Sequence, residues 1–291
     1  MRFSRGFGVV FLAGMVAGSA LASGGRDLQK LRADAAQGSV EAELALASAY
    51  MFGDGAARDE SEALKWFRTA AGQGSAEAQM SLGMIYLGGQ GVPKDESEAL
   101  NWFRRAGEQG LVEAQVMLAG IYATGQGAAL DEREAVKWLR RAAAKGDAGA
   151  QNNLAWMCAN GRGTAQDPVE AARWYRLAAD QGFAAAQLAV GQMYSAGFSV
   201  ARDDMEAARW YRLAAEQGLP EAHMTLGQIY EKGLGVPQDL LASYIEYSRA
   251  AAAGAEGAAQ QRDRLAGKLP ASDLQAAQAK APPTVGKLGG R

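Results

Sequence analysis

Two side chains in this sequence have the chemistry of a nucleophile and its base. Cys158 is the single cysteine and His223 the single histidine, and a thiol beside an imidazole is a minimal activated pair for covalent catalysis. Phase argues against the pairing. Cys158 falls with Ala150, Leu154 and Met157 on the apolar stripe of a predicted helix, so it reads as a buried small hydrophobe and not as a reactive thiol. A lone histidine also excludes two-histidine mechanisms and histidine-rich metal sites. Gly-x-Gly pairs recur between predicted helices, without the strand that a phosphate-binding loop needs. No catalytic, metal or cofactor site is expected.

Recognition is the chemistry left. Five of the six tryptophans, Trp66, Trp102, Trp138, Trp174 and Trp210, recur every 36 residues, and Trp156 stands outside that column. On a helix, Trp156 joins Gly149, Asn153 and Asn160 in an i, i+4, i+7, i+11 stripe, roughly 120° from the centre of the core face at 3.6 residues per turn. The equivalent positions are Ser81, Met84 and Gly88, then Met117, Gly120 and Thr124, then Ala189, Gln192 and Ala196. These columns vary while the core columns do not. Met84, Met117, Thr124, Asn153, Trp156, Asn160 and Gln192 are therefore the candidate partner-binding residues. Two readings of Trp156 stand side by side. It is an aromatic anchor for a partner, or it fills volume left where Cys158 replaces a tyrosine.

The elements that position these residues come from the same 36-residue period. Gly74, Gly110, Gly146, Gly182, Gly218 and Gly254 share one column, and Asp59, Asp95, Asp131, Asp167, Asp203 and Asp239 another. Tyr50, Tyr86, Tyr122, Tyr194 and Tyr230 form a third, whose gap is Cys158. Self-similarity at a fixed period marks a solenoid, here six units over residues 39–254. In AEAQMSLGMIYLGG, Ala78, Leu82, Ile85 and Tyr86 make one helical face. Loop glycines and Pro93 end that helix. Asp95 then serves as the N-cap of a second helix with Glu98 as its capping-box partner, and Ala99, Trp102, Phe103 and Ala106 point inward. Alanine columns let the axes approach, and neighbouring units must stack to close the core.

Departures from the period carry expectations of their own. Ser199 replaces a loop glycine, so that turn is expected to differ. Glu246 stands in the tryptophan column and Ser243 in an alanine column, as suits a terminal unit with one face towards water. Residues 23–38 read as an N-terminal capping helix and residues 255–280 as C-terminal capping helices with Ser272 as an N-cap. Residues 281–291 are too poor in apolar groups to order themselves. The recurrent Arg68, Arg104, Arg140, Arg176 and Arg212 read as a solvated helix face laced with weak ion pairs.

At the N-terminus, Arg2 and Arg5 precede an uncharged apolar run from Val9 to Ala22 that closes on Ala20-Leu21-Ala22. This is the pattern of a secretory leader over residues 1–22, cut after Ala22, and the run is shorter than the roughly 20 residues a bilayer span needs. A periplasmic location is expected. Without the leader, 28 basic residues face 32 acidic ones, a formal charge of -4, and nothing suggests nucleic acid.

The segment AQMSLGMIYLGGQGVPKDESEALNWFRRAGEQG resembles the Sel1-like repeat pattern almost residue for residue. The resemblance implies an all-α, right-handed superhelical solenoid of helix-turn-helix repeats that binds a protein or peptide partner in its concave groove, without catalysis. An adaptor, regulatory or immunity role in the bacterial envelope would follow. The enzyme alternative is a β-lactam-binding or hydrolysing relative like the cysteine-rich Sel1-like proteins. Those carry paired cysteines within repeats, whereas this chain has one cysteine and no serine-lysine motif.

Overall fold

The computed structural model describes residues 28–280. The leader expected over residues 1–22 and the tail over 281–291 lie outside them. Fifteen helices and no strand occur among the described residues, giving an all-α solenoid of six helix-turn-helix repeats. The chain divides into two compact units, residues 1–145 and 146–291. The break falls between the third and fourth repeats.

The first unit holds α1 (Leu28–Ala36), α2 (Val40–Phe52), α3 (Glu60–Gly72), α4 (Ala76–Gly88), α5 (Glu96–Glu108), α6 (Val112–Thr124) and α7 (Glu132–Ala144). The second holds α8 (Ala148–Asn160), α9 (Pro168–Asp180), α10 (Ala184–Ala196), α11 (Asp204–Glu216), α12 (Pro220–Lys232), α13 (Leu240–Ala252), α14 (Ala258–Ala266) and α15 (Ala271–Lys280). Within each unit consecutive helices pack on one another, α1 to α7 in the first and α8 to α14 in the second, and α15 packs on α13.

Each second helix starts where the aspartate column places it. Asp59 accepts from the amides of Ser61 and Glu62, and Asp95 from that of Glu98, satisfying donors that have no partner inside the helix. The reciprocal half of the capping box does not form. The Asp95 amide donates instead to the Tyr86 carbonyl at 2.9 Å, and Asp59, Asp131, Asp203 and Asp239 do the same to Tyr50, Tyr122, Tyr194 and Tyr230. That bond folds the loop back onto the end of the first helix. The expected difference at Ser199 is also corrected. Ser199 takes the left-handed conformation of its glycine equivalents (φ 61°), the one non-glycine to do so among the described residues, and its hydroxyl donates to the Pro168 carbonyl at 3.1 Å.

Close approach within a hairpin needs a missing side chain. A Cβ on Gly83 would lie 2.4 Å from Phe103, and one on Gly227 2.6 Å from Tyr247. Phe67, Phe103 and Tyr247, each one residue past the tryptophan column, are almost wholly buried, whereas Trp66 and Trp102 remain part-exposed. In the first two repeats the deeper ring is therefore the residue after the tryptophan, whereas Trp138 and Trp210 are themselves buried.

One helix lies over the first repeat and two over the last, and the expected N-cap at Ser272 is corrected. On the first unit, α1 covers Ala42 and Leu46 with Leu28, Leu31 and Ala35. On the second, Leu265 of α14 and Ala277 of α15 pack against Tyr244, Ile245 and Tyr247. Ser272 is not the N-cap of α15. It lies inside the helix, and its hydroxyl bonds the neighbouring Asp273 carboxylate at 3.2 Å.

Phe103→Ala is expected to cost about 3–5 kcal/mol in urea denaturation, and Gly83→Ala about 1–3 kcal/mol by overpacking the same ring. Equal and negligible losses would show that α4 and α5 do not meet through this pair.

Candidate partner-binding surface

The first helix of each hairpin is pinned before any of its surface is free for a partner. In the first unit, Gln79 of α4 donates through Nε2 to the Ala71 carbonyl at the end of α3, at 3.3 Å, and accepts through Oε1 from Gln109 at 2.8 Å. Gln115 of α6 donates to the Gly107 carbonyl at 2.9 Å. The second unit repeats this with Gln187 on the Ala179 carbonyl and Gln217 on Gln187, and Gln181 bonds Gln151. Helix C-termini leave four carbonyls without intrahelical partners, and these buried amides reach them from the next repeat.

A second tie crosses from one repeat to the next within each unit. Arg32, Arg68 and Arg104 donate to the hydroxyls of Tyr50, Tyr86 and Tyr122, each 18 residues on, at 2.6–2.7 Å. Arg176 and Arg212 reach Tyr194 and Tyr230 at 3.4 Å. This corrects the reading of the arginine column as a merely solvated face, because Arg68, Arg104, Arg176 and Arg212 bind the tyrosine column of the following repeat. Lys65 pairs with Glu62 at 2.5 Å and Lys137 with Glu134 at 2.7 Å, while Arg104 is engaged with Tyr122.

With those faces committed, the stripe residues separate. Met84 is buried at 5% exposure and offers no surface, which corrects its place among the candidates. Met117 is part-buried, and Thr124 is exposed with its hydroxyl returned to the Gly120 carbonyl at 2.8 Å. In the second unit, Asn153 and Trp156 are half-buried, and Asn160 and Gln192 are exposed. The Arg162 guanidinium lies 5.6 Å from the centre of the Trp156 ring, within the range of a cation–π contact. Asn160 donates to the Trp156 carbonyl at 2.8 Å.

The period also points to residues not singled out from the sequence. Phe198 and Leu234 occupy the loop column of Arg162 and are 52% and 39% exposed. Gln228, in the column of Trp156 and Gln192, is exposed too. In the first unit the same loop column holds Asp54, Gln90 and Gln126. The second unit thus carries an apolar loop rim, Phe198 and Leu234, that the first lacks. Hydrophobic residues in a loop column are visible in the sequence, but nothing in periodicity says they stay exposed.

The two candidate catalytic residues are each occupied elsewhere. Cys158 is wholly buried, and the Tyr175 hydroxyl is pushed up to about 12 by burial and, secondarily, by Cys158. His223 takes the glutamine column's place in the last repeat, where its Nδ1 lies 2.6 Å from Glu246, which also accepts from Arg249 at 2.7 Å. Among the described residues, no group of three or more metal-binding side chains comes together, and no helix is long and apolar enough to cross a membrane.

The Sel1 repeat model matches residues 40–75, 76–111, 112–147, 148–183, 184–219 and 220–254. The chain is similar to a protective antigen present in uropathogenic Escherichia coli strains displaying an SLR fold, at 34% identity and a TM-score of 0.80, over 88% of this chain and 55% of that one. It therefore spans little more than half of that protein. It is also similar to a Sel1 repeat protein from Oxalobacter formigenes, at 31% identity and a TM-score of 0.71, over 95% of this chain and 84% of that one. No curated protein matches.

Removing one phenol hydroxyl tests the arginine–tyrosine tie. Tyr122→Phe is expected to lower stability by about 0.5–1.5 kcal/mol, the net value of one hydrogen bond, as read by chemical denaturation. No loss would return Arg104 to the role of a solvated charge.

Proposed function

The chain belongs to the Sel1 repeat family, and from that premise we propose that it is a non-catalytic scaffold that binds a protein or peptide partner along the first-helix face of residues 146–280. The observation that carries this reading is Trp156. Its ring lies outside the recurring core columns, half-exposed against Arg162, among the amides of Asn153, Asn160 and Gln192. An aromatic ring with neighbouring amides suits a contact that desolvates apolar area at its centre while satisfying polar groups at its edge. Phe198 and Leu234 extend the apolar part along the loop rim.

The leader-like pattern of residues 1–22 supports a setting in the bacterial envelope, in the periplasm, where an adaptor, regulatory or immunity role fits a repeat scaffold. The β-lactam alternative gains no support from the wholly buried Cys158 or from His223 held by Glu246.

Crosslinking in the periplasm, followed by capture of the chain and identification of what is joined to it, supplies the partner. Trp156→Ala is then expected to weaken that partner's binding by at least about 1 kcal/mol while leaving the denaturation midpoint nearly unchanged. Unfolding as severe as that of Trp102→Ala, for which about 3–5 kcal/mol is expected, would make Trp156 part of the scaffold. Nitrocefin turnover that survives repurification would contradict the non-catalytic assignment.

A further inference from the structure

The glutamine column begins with an acid. Glu43 of α2 occupies the position held by Gln79, Gln115, Gln151 and Gln187 in the next four repeats. It is 1% exposed. Its Oε1 accepts from Gln73 at 2.6 Å, as Gln79 accepts from Gln109 and Gln187 from Gln217. Its Oε2 is buried without a hydrogen-bond partner.

The other repeats show what that atom faces. Gln79, Gln115 and Gln187 use their second terminal atom, Nε2, to donate to the carbonyl eight residues earlier, Ala71, Gly107 and Ala179. Each of those carbonyls also accepts from a backbone amide three residues on, Gly74, Gly110 and Gly182. The carbonyl eight residues before Glu43 is that of Ala35, the last turn of α1, and it too accepts from the amide three residues on, Gly38, at 2.9 Å. The register is the same, so an acceptor oxygen of Glu43 stands where a donor belongs.

We propose that Glu43 is a neutral carboxylic acid in the folded protein, that its Oε2 proton bonds the Ala35 carbonyl, and that loss of this proton loosens the N-terminal cap α1 from the first repeat. A buried carboxylate without a partner is far costlier than a buried neutral acid, and burial, opposed by the Gln73 bond, raises the Glu43 carboxyl above its ordinary range. The cations of the neighbouring helices are engaged elsewhere or exposed. Of the charged residues on α1, Arg32 is committed to Tyr50, Lys30 is exposed, and Asp34, part-buried, carries a like charge. On α3, Glu60 bonds Arg58, Lys65 bonds Glu62 and Arg68 bonds Tyr86. Glu41, on α2 itself, is exposed.

The sign of the pH effect follows from the raised acidity constant. Below the ordinary glutamate value the acid is protonated in both folded and unfolded chains, and its contribution is complete. As pH rises from there towards the raised folded value, the folded state holds a proton that the unfolded state has lost, and stability declines. Leu28, Leu31 and Ala35, which cover Ala42 and Leu46, would be released first.

Glu43→Gln in the full chain restores the donor found in the other repeats and removes the titration. Relative to this variant, the wild type is expected to match it in denaturation midpoint near pH 4 and to fall behind steadily towards pH 7. Amides of α1 should exchange at least about fivefold faster in the wild type at pH 7 than in the variant at that pH, the factor that one lost hydrogen bond carries. Carboxyl carbon NMR of Glu43 gives an independent reading, in which the neutral-acid shift persists well above the ordinary glutamate range. Parallel midpoints at every pH, or an ordinary glutamate titration in the spectrum, would overturn the proposal.

Discussion

A side-chain amide that reaches back to the end of the preceding hairpin holds successive repeats in register within each unit. Apolar burial is non-directional, and alanine-rich helices can slide along one another with little change in area. The carbonyls at a helix C-terminus are different: the turn's own amide takes one lone pair of Ala71, Gly107 and Ala179, and the second needs a donor at a defined place, a bond worth about 0.5–1.5 kcal/mol net. Gln79, Gln115 and Gln187 meet that need from the following repeat. The column is imperfect where its partner changes. Lys145 stands where the other repeats have a glutamine, donates to the Gly110 carbonyl, and leaves Gln115 Oε1 without a partner at the end of the first unit.

What a partner can touch is the remainder. Once the core stripe, the glutamine column and the arginine–tyrosine ties are taken, each first helix keeps a narrow strip. The two units fill that strip differently. In the first it is short or buried, with Ser81, Met84 and Gly120, and in the second it carries Trp156, Gln192 and Gln228 beside the exposed Phe198 and Leu234. The family places the chain among repeat scaffolds.

Much of the fold is legible in the sequence because a 36-residue period repeats every cap, turn and core position several times. The aspartate column reads directly as N-caps, and the phase of Cys158 directly as burial. Other features need three dimensions. Arginine and tyrosine columns are both visible, but their meeting 18 residues apart across two helices is a property of packing. A glutamine within AEAQMSLG looks like a polar residue facing water, yet Gln79 is buried because helix-end carbonyls demand it. Met84 is hidden although its stripe was expected to face a partner, since the strip narrows where Ser81 and Leu82 are buried beside it. Ser272 sits within α15 because the helix begins one residue earlier, a boundary that composition does not fix.

The sharpest test compares two glutamines on one helix. Gln187 and Gln192 both belong to α10, the first buried on the Ala179 carbonyl and the second exposed. Urea denaturation of Gln187→Leu and Gln192→Leu should give a loss of about 1–3 kcal/mol for the buried position and close to none for the exposed one. Equal effects at the two sites would mean that apolar contact alone sets the register of the repeats.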